Sequence, residues 1–126
     1  MPHITLEYSE NVLEQVDFKD FFNRLHSLLI ENGPFKLEDI KSRAIPHPFF
    51  YVADGKESNG FVHLTLSILK GRDLSLRQAL AEKILMFLKQ EYARSYGELN
   101  CSISVEIKEL DGDTYRKTSS NELNAS

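Results

Sequence analysis

Two alternating apolar runs, each followed by a helix-period stretch and a further extended run, constrain this chain more than any other feature. In the first run Ile4 and Leu6 share one face, with Tyr8 following, and His3, Thr5 and Glu7 share the other. Asp17 then stands as a helix cap before Phe18, Phe21, Phe22, Leu25, Leu28 and Leu29, whose three-and-four spacing marks one helical face. Asn32-Gly33-Pro34 ends that helix. From Ile40 the chain is extended again, with Lys41 and Arg43 on one side, and Pro46 and Pro48 are expected to interrupt it. Phe49 to Val52 reads as a short edge piece or loop, and Ala53-Asp54-Gly55 as a turn.

The same order then restarts. Phe61 to Lys70 alternates, with Val62, Leu64, Leu66 and Ile68 on one face and Phe61, His63, Thr65 and Ser67 on the other. Leu76, Leu80, Ile84, Phe87 and Leu88 mark a second amphipathic helix, entered through Asp73 or through the capping-box-like Ser75-Leu76-Arg77-Gln78. A last strand follows Gly97, with Cys101, Ile103, Val105 and Ile107 alternating with Ser102, Ser104, Glu106 and Lys108. The two helices start about 57 residues apart without a residue-level repeat, so the duplication is one of architecture.

The predicted fold is α+β in two layers, as one domain over residues 1–126. Residues 1–57 and 58–110 each form a β-α-β unit, and the two units join in a four-stranded mixed sheet with both helices on one face. The polar tail 111–126 is expected to be loosely held. The other face of the sheet, carrying His3, Thr5, Lys41, Arg43, Phe61, His63 and Thr65, is too apolar for free solvent and too polar for a dry core. Partner subunits in a closed cyclic oligomer are therefore expected to cover part of it, and long unpaired strand edges point the same way.

Charge and cysteine usage remove several function classes. Fifteen Lys plus Arg against nineteen Asp plus Glu leave a net charge of −4, and no basic block is interleaved with aromatics, which argues against nucleic acid as a partner. The one cysteine, Cys101, has no metal-ligand spacing around it and reads as a small core residue in a reducing cytosol. His3, His26 and His47 have no metal-like mutual spacing either, so neither a metal nor an organic cofactor is expected. The first 25 residues contain Glu7, Glu10, Glu14 and Asp17 and no continuous apolar stretch, so neither a signal peptide nor a membrane span is expected, and the location is read as cytoplasmic.

What remains is the start of the chain. If Met1 is removed, Pro2 becomes a secondary amine at the head of a strand; α-amino groups titrate near pH ~7.7 to 8.0, so modest desolvation or a nearby cation brings such an amine to the operating pH of a general base. Arg72 follows Gly71 at the mouth of the second helix, where orphan N–H groups and a guanidinium together suit a planar carboxylate; a solvated arginine before a cap is the plainer reading. Lys41 and Arg43 add two cations, for which a solvated edge is again the plainer local reading. Together, an amine base and flanking cations suit proton transfer next to a carbonyl in an anionic enol or keto acid.

The opening Met1-Pro2-His3 with Glu7-Tyr8-Ser9 and Asn11 resembles the start of the 5-carboxymethyl-2-hydroxymuconate isomerases of the tautomerase superfamily. So do Ile40-Lys41-Ser42-Arg43, the run Phe61-Val62-His63-Leu64-Thr65-Leu66 leading to Gly71-Arg72, the pair Arg77-Gln78, and Ser104-Val105-Glu106-Ile107. The resemblance covers about residues 1 to 110 and rests on the combination of these short motifs. It implies a homotrimer of the tautomerase or macrophage migration inhibitory factor type, with sites shared between neighbours. It also implies isomerisation of an unsaturated 2-hydroxy polycarboxylate to its 2-oxo-3-ene form in homoprotocatechuate breakdown. By position, Pro2 would be the catalytic base, and Arg72 a carboxylate-binding and electrophilic group. The departure is Lys41, where the family carries arginine: lysine keeps the charge and loses the bidentate fork. Lys41 as a point charge, participation of Arg43, and a different substrate all stay open. His63, Phe50 and Tyr51 are candidates for the pocket or a subunit interface, with a packed structural histidine and an ordinary apolar cluster as the alternatives. A general keto-enol tautomerase, a hydratase or decarboxylase of the same superfamily, and a non-catalytic trimeric binding protein are the other functional readings.

Overall fold

The computed structural model describes residues 1–120. Strands β1 (His3–Ser9), β2 (Lys41–His47), β3 (Asn59–Leu69) and β4 (Asn100–Leu110) form one sheet in the order β2-β1-β3-β4. β1 runs parallel to β2, β3 parallel to β4, and the two central strands β1 and β3 are antiparallel, with His3 opposite Ser67 and Leu6 opposite Leu64. Each parallel pair is joined by a helix, α1 (Phe18–Asn32) in the first unit and α2 (Leu74–Glu91) in the second, as parallel pairing requires.

Both helices cover one face. Phe21, Leu25 and Leu29 from α1 and Leu80, Ile84 and Leu88 from α2 are buried with Ile4, Leu6, Val62, Leu64, Leu66 and Ile68 from the central strands. Each such side chain removed from water stabilises the fold by about 1.5–3 kcal/mol before entropy is counted. Asp17 caps α1 through its carboxylate, which accepts from the backbone N–H groups of Lys19 and Asp20. Arg24 ties the helices together, its fork donating to both carboxylate oxygens of Glu91 at 2.8 and 2.6 Å while its Nε donates to Asp20 at 2.9 Å. α2 starts at Asp73 rather than through a capping box, and the Asp73 side chain makes no cap hydrogen bond.

Pro46 does not end β2. The backbone N–H of Lys41 donates to Pro2 and the carbonyl of His47 accepts from Glu10, so the odd-numbered residues of β2 bond to β1. Pro46, an even-numbered residue on an edge strand, turns its missing N–H outward and costs no ladder bond. A short helix, α3 (Ala93–Glu98), contains Gly97 and precedes β4. Glu14 fixes it by accepting from the backbone N–H groups of Arg94 and Ser95 and from the Ser95 hydroxyl, which in turn accepts from Leu13 N–H at 2.8 Å.

The face away from the helices is half-open. Along β3 its residues Phe61, His63, Thr65, Ser67 and Leu69 are partly exposed, while Val62, Leu64, Leu66 and Ile68 are buried beneath the helices. Beyond β4 the chain turns at Asp111, whose carbonyl accepts from Thr114 and Tyr115 N–H, and comes back across the sheet. The Tyr115 hydroxyl meets Nε2 of His3 at 3.0 Å and the Lys117 ammonium donates to Asp39 at 2.9 Å. The tail is therefore tied down through these side chains rather than loosely held; its remainder, 121–126, lies outside the described residues.

Candidate active site at the N-terminal end of the sheet

Pro2 is buried at the head of the central strand β1, and its carbonyl accepts from Lys41 N–H at 3.1 Å. That bond seats β2 beside the N-terminus. The Met1 ammonium donates to the carbonyl of Asp39 at 3.0 Å, and the Lys41 ammonium reaches the same carbonyl at 3.2 Å. Desolvation holds the terminal ammonium below the usual α-amino value; Lys41 and, more weakly, Lys117 push it the same way, while Asp39 opposes them. A cleft of about 440 Å³ opens here, lined by Lys36, Glu38, Asp39, Lys41, Lys117 and the residues just after Lys117.

Arg72 belongs to the same end of the sheet. β3 passes His3 at Ser67 and leaves the sheet at Leu69; Gly71, at a φ of +117° that a side chain rarely adopts, then turns the chain into α2. The Arg72 guanidinium lies 5.8 Å above the centre of the Phe35 ring, in the connection that leads to Lys36. Gly33 makes room for that ring, because a Cβ there would lie 2.5 Å from Phe35 Cε2. The Nε of Arg72 is buried and has no hydrogen-bond partner among the described residues. Arg77 braces the turn, donating from Nε to the Arg72 carbonyl at 3.2 Å.

Arg43 points along the open face rather than into the cleft and donates to Nδ1 of His3 at 3.1 Å. Burial and the cationic charges of Arg43, the terminus and Lys41 keep the His3 imidazole neutral to lower pH than usual. His63 sits in the middle of β3, opposite Glu7, with Nδ1 2.7 Å from Ser104 Oγ. Phe50 and Tyr51 follow β2 at the opposite end of the sheet, where the Tyr51 hydroxyl donates to Asp54 at 3.2 Å. Within one chain, then, Pro2, Lys41 and Arg72 share an end, Arg43 stands beside them through His3, and His63, Phe50 and Tyr51 lie elsewhere.

Three contributors are absent from the sequence reading. Lys36 and Asp39 sit in a stretch without periodicity, and Lys117 in a polar tail; only the fold brings them to the terminus. A larger cleft of about 590 Å³ at the other end of the sheet is rimmed by Glu10, Glu14 and Asp17, charges that repel an anionic ligand. Among the described residues no group of three or more His, Cys, Asp or Glu is placed to hold a metal ion, and no helix is long and apolar enough to cross a membrane.

Comparison with known proteins bears on the chain as a whole. A solved 5-carboxymethyl-2-hydroxymuconate isomerase from Deinococcus radiodurans R1 superposes with a TM-score of 0.87 at 26% identity, covering 99% of this chain and 94% of the other. A macrophage migration inhibitory factor-like protein from Entamoeba histolytica shares the fold at 14% identity, with a TM-score of 0.65 over 93% of this chain and 95% of that one. The 5-carboxymethyl-2-hydroxymuconate Delta-isomerase of Escherichia coli is 34% identical over 110 residues, 87% of each chain. The profile of 5-carboxymethyl-2-hydroxymuconate isomerase matches residues 2–124. By that match and that identity, the chain belongs to the 5-carboxymethyl-2-hydroxymuconate isomerase family.

Proposed function

We propose that this isomerase uses Pro2, freed by removal of Met1, as the base that shifts a proton within an unsaturated 2-hydroxy polycarboxylate, 5-carboxymethyl-2-hydroxymuconate being the substrate that the family suggests. The amine takes the proton of the 2-hydroxyl; the O–H bond breaks, the dienolate forms, and the same proton is returned to the distal carbon as a new C–H bond. The product is the 2-oxo-3-ene isomer, with no net gain or loss of atoms. Arg72 stabilises negative charge on the dienolate oxygen and binds the adjacent carboxylate, and its buried, unpartnered Nε–H is a donor that such a ligand would satisfy. Lys41 anchors a second carboxylate as a point charge, and its cation, which after desolvation is the next push lowering the ammonium of the unprocessed Met1 terminus, would act in the same direction on the freed Pro2 amine.

The observation that carries this reading is the buried start of β1 beside the lysine-lined cleft. A neutral amine is a base; an ammonium is not. Cations that favour its neutral form are the same ones that attract the substrate. The half-open sheet face and the two edge strands β2 and β4 support a homotrimer in which neighbours complete each site, with His63, Phe50 and Tyr51 available to those contacts. The exposed Phe49 and Tyr51 side chains, 94% and 78% accessible in the single chain, fit that assembly. A cytoplasmic setting in homoprotocatechuate catabolism completes the proposal.

The test is steady-state turnover of protein whose N-terminus has been verified by mass, with 2-hydroxymuconate and its 5-carboxymethyl derivative compared. Ketonisation of both, faster with the carboxymethyl compound and lost when Met1 is retained, is expected. Full activity with Met1 in place would exclude Pro2 as the base.

A further inference from the structure

We propose that Arg77 is a positioning residue for the site: with Glu109 it holds the Gly71–Arg72 turn and so aims the Arg72 guanidinium at a substrate carboxylate. This rests on the carboxylate role given to Arg72 above. Arg72 is carried by a turn that packing does not hold. Gly71 is exposed, at a φ of +117°, and a Cβ built there would meet nothing within 4 Å. Lys70 and Asp73 on either side are exposed too, and Leu74, the first residue of α2, is 57% accessible. The Asp73 side chain makes no cap hydrogen bond, so the helix end does not fix the turn either. Glycine has the widest choice of backbone conformations, so polar contacts must select one.

Those contacts come from β4 and α2. Lys70 N–H donates to the Leu110 carbonyl at 3.1 Å, which carries the β3–β4 ladder one residue past the end of β3. Gly71 N–H donates to one Glu109 carboxylate oxygen at 3.4 Å. The Arg72 carbonyl accepts from Nε of Arg77 at 3.2 Å, and the Arg77 fork stands 3.7 Å from the other Glu109 oxygen. The first two contacts stop short of Arg72, whereas the third grips its own carbonyl. Glu109 is set opposite Ile68 by the strand register, and Arg77 by its backbone bond to the Asp73 carbonyl in the first turn of α2.

The two arginines thereby divide the work. Arg77 has its Nε engaged and its charge beside Glu109, while the Nε of Arg72 is buried and has no partner among the described residues. The Arg77–Glu109 pair contributes little stability by itself, because its side chains are 28% and 30% accessible. Its effect is geometric. A donor misplaced by about 1 Å can cost 10²-fold in rate, and a released turn that still visits the right geometry costs less.

The experiment is a double-mutant cycle on the full chain with verified N-terminus: wild type, Arg77→Met, Arg72→Ala and the two combined. Each is melted thermally and assayed for kcat/KM on 5-carboxymethyl-2-hydroxymuconate. Arg77→Met keeps the apolar stem and loses the donors, and should lower kcat/KM about fivefold, but less than about 1.5-fold once Arg72 is alanine, because it acts through Arg72. Arg77→Gln, whose amide nitrogen occupies the place of Nε along the side chain, should stay within about twofold of wild type. Glu109→Ala, combined with Arg72→Ala in the same way, should show a smaller loss that also vanishes, and replaces Arg77→Met in the cycle if that variant does not fold. No loss in Arg77→Met, equal fold losses in both backgrounds, or an Arg77→Gln as impaired as Arg77→Met would overturn the proposal and leave Arg77 a structural brace. Undiminished kcat/KM in the single variant Arg72→Ala would instead overturn the role of Arg72 in the proposed function, and the positioning with it.

Discussion

Arg43 donates to Nδ1 of His3 at 3.1 Å, and because a guanidinium has only donors this contact fixes the tautomer. The proton sits on Nε2, which donates to the Tyr115 hydroxyl at 3.0 Å. Protonating His3 would put a second N–H against the guanidinium. The segment after β4, the open face of β1 and the edge strand β2 therefore meet at one neutral histidine.

That neutrality makes stability depend on pH. His3 and His26 are both held below their ordinary value of 6.5, His3 by burial and then by Arg43, the terminus and Lys41, and His26 by burial beside Ser42. The folded chain thus binds fewer protons than the unfolded chain between the lowered folded values and 6.5. The histidine contribution to stability is present in full above 6.5 and falls as pH drops through that window. The terminal ammonium, lowered from its ordinary value of 8.0, adds a slope of the same sign, so urea midpoints should already fall below pH ~8 and decline further by pH ~5.5, before carboxylates titrate. A His3→Asn, His26→Gln double variant should lack most of the decline below 6.5.

Lys41 should act on both the base and the substrate. After desolvation its cation is the next push lowering the Met1 ammonium; acting alike on the Pro2 amine of the processed chain, it is lost in Lys41→Gln and that amine's pKa rises. The acid limb of kcat/KM then moves to higher pH, and KM for a dicarboxylate rises by about tenfold. Lys41→Arg keeps the charge and restores a fork, so it should leave the limb in place and lower KM. An unmoved limb in Lys41→Gln would place the titrating base away from this terminus.

The fold and the site were legible to different degrees. Both β-α-β units show in the sequence because burial imposes period two on β1 and β3 and period near 3.6 on α1, and Asp17 announces its helix by capping chemistry. The extent of β2 was not legible, since whether Pro46 breaks a strand depends on which residues face β1, a matter of register. α3 has six residues, too few for a period, and is held by Glu14 from 80 positions away. At the site, Pro2, Lys41 and Arg72 carry local signals: a terminus, a strand charge, a helix mouth. Lys36, Asp39 and Lys117 carry none, because their meeting is a long-range event, Asp39 and Lys117 being 78 positions apart. Phe35 was silent for the same reason.

Glu14 gives a measure of such a long-range tie. Its half-buried carboxylate accepts two backbone N–H groups and one hydroxyl at the start of α3. Glu14→Ala strips those donors of their acceptor, and the loss should be about 1–3 kcal/mol in chemical denaturation. Because the residue lies at the end of the sheet opposite Pro2, kcat/KM should be unaffected under native conditions. A matching loss of activity would show that α3 and the N-terminal site are coupled.

Arg72 is the sharpest discriminator among the cations, because charge and hydrogen-bond geometry can be separated there. Arg72→Lys retains a cation over Phe35 and loses the Nε–H, the one donor of the side chain that is buried and unpartnered. If that donor exists to meet substrate, kcat/KM on carboxylate-bearing dienols should fall about tenfold or more, the cost of a charge-assisted hydrogen bond, while thermal stability stays near wild type or rises. Gly33→Ala should reproduce part of the loss without touching the charge, since the new Cβ, 2.5 Å from Cε2 of Phe35, displaces the ring on which the guanidinium rests. Undiminished kcat/KM in Arg72→Lys would reduce Arg72 to a positive charge at a helix mouth, and leave Lys41 as the carboxylate anchor within the chain.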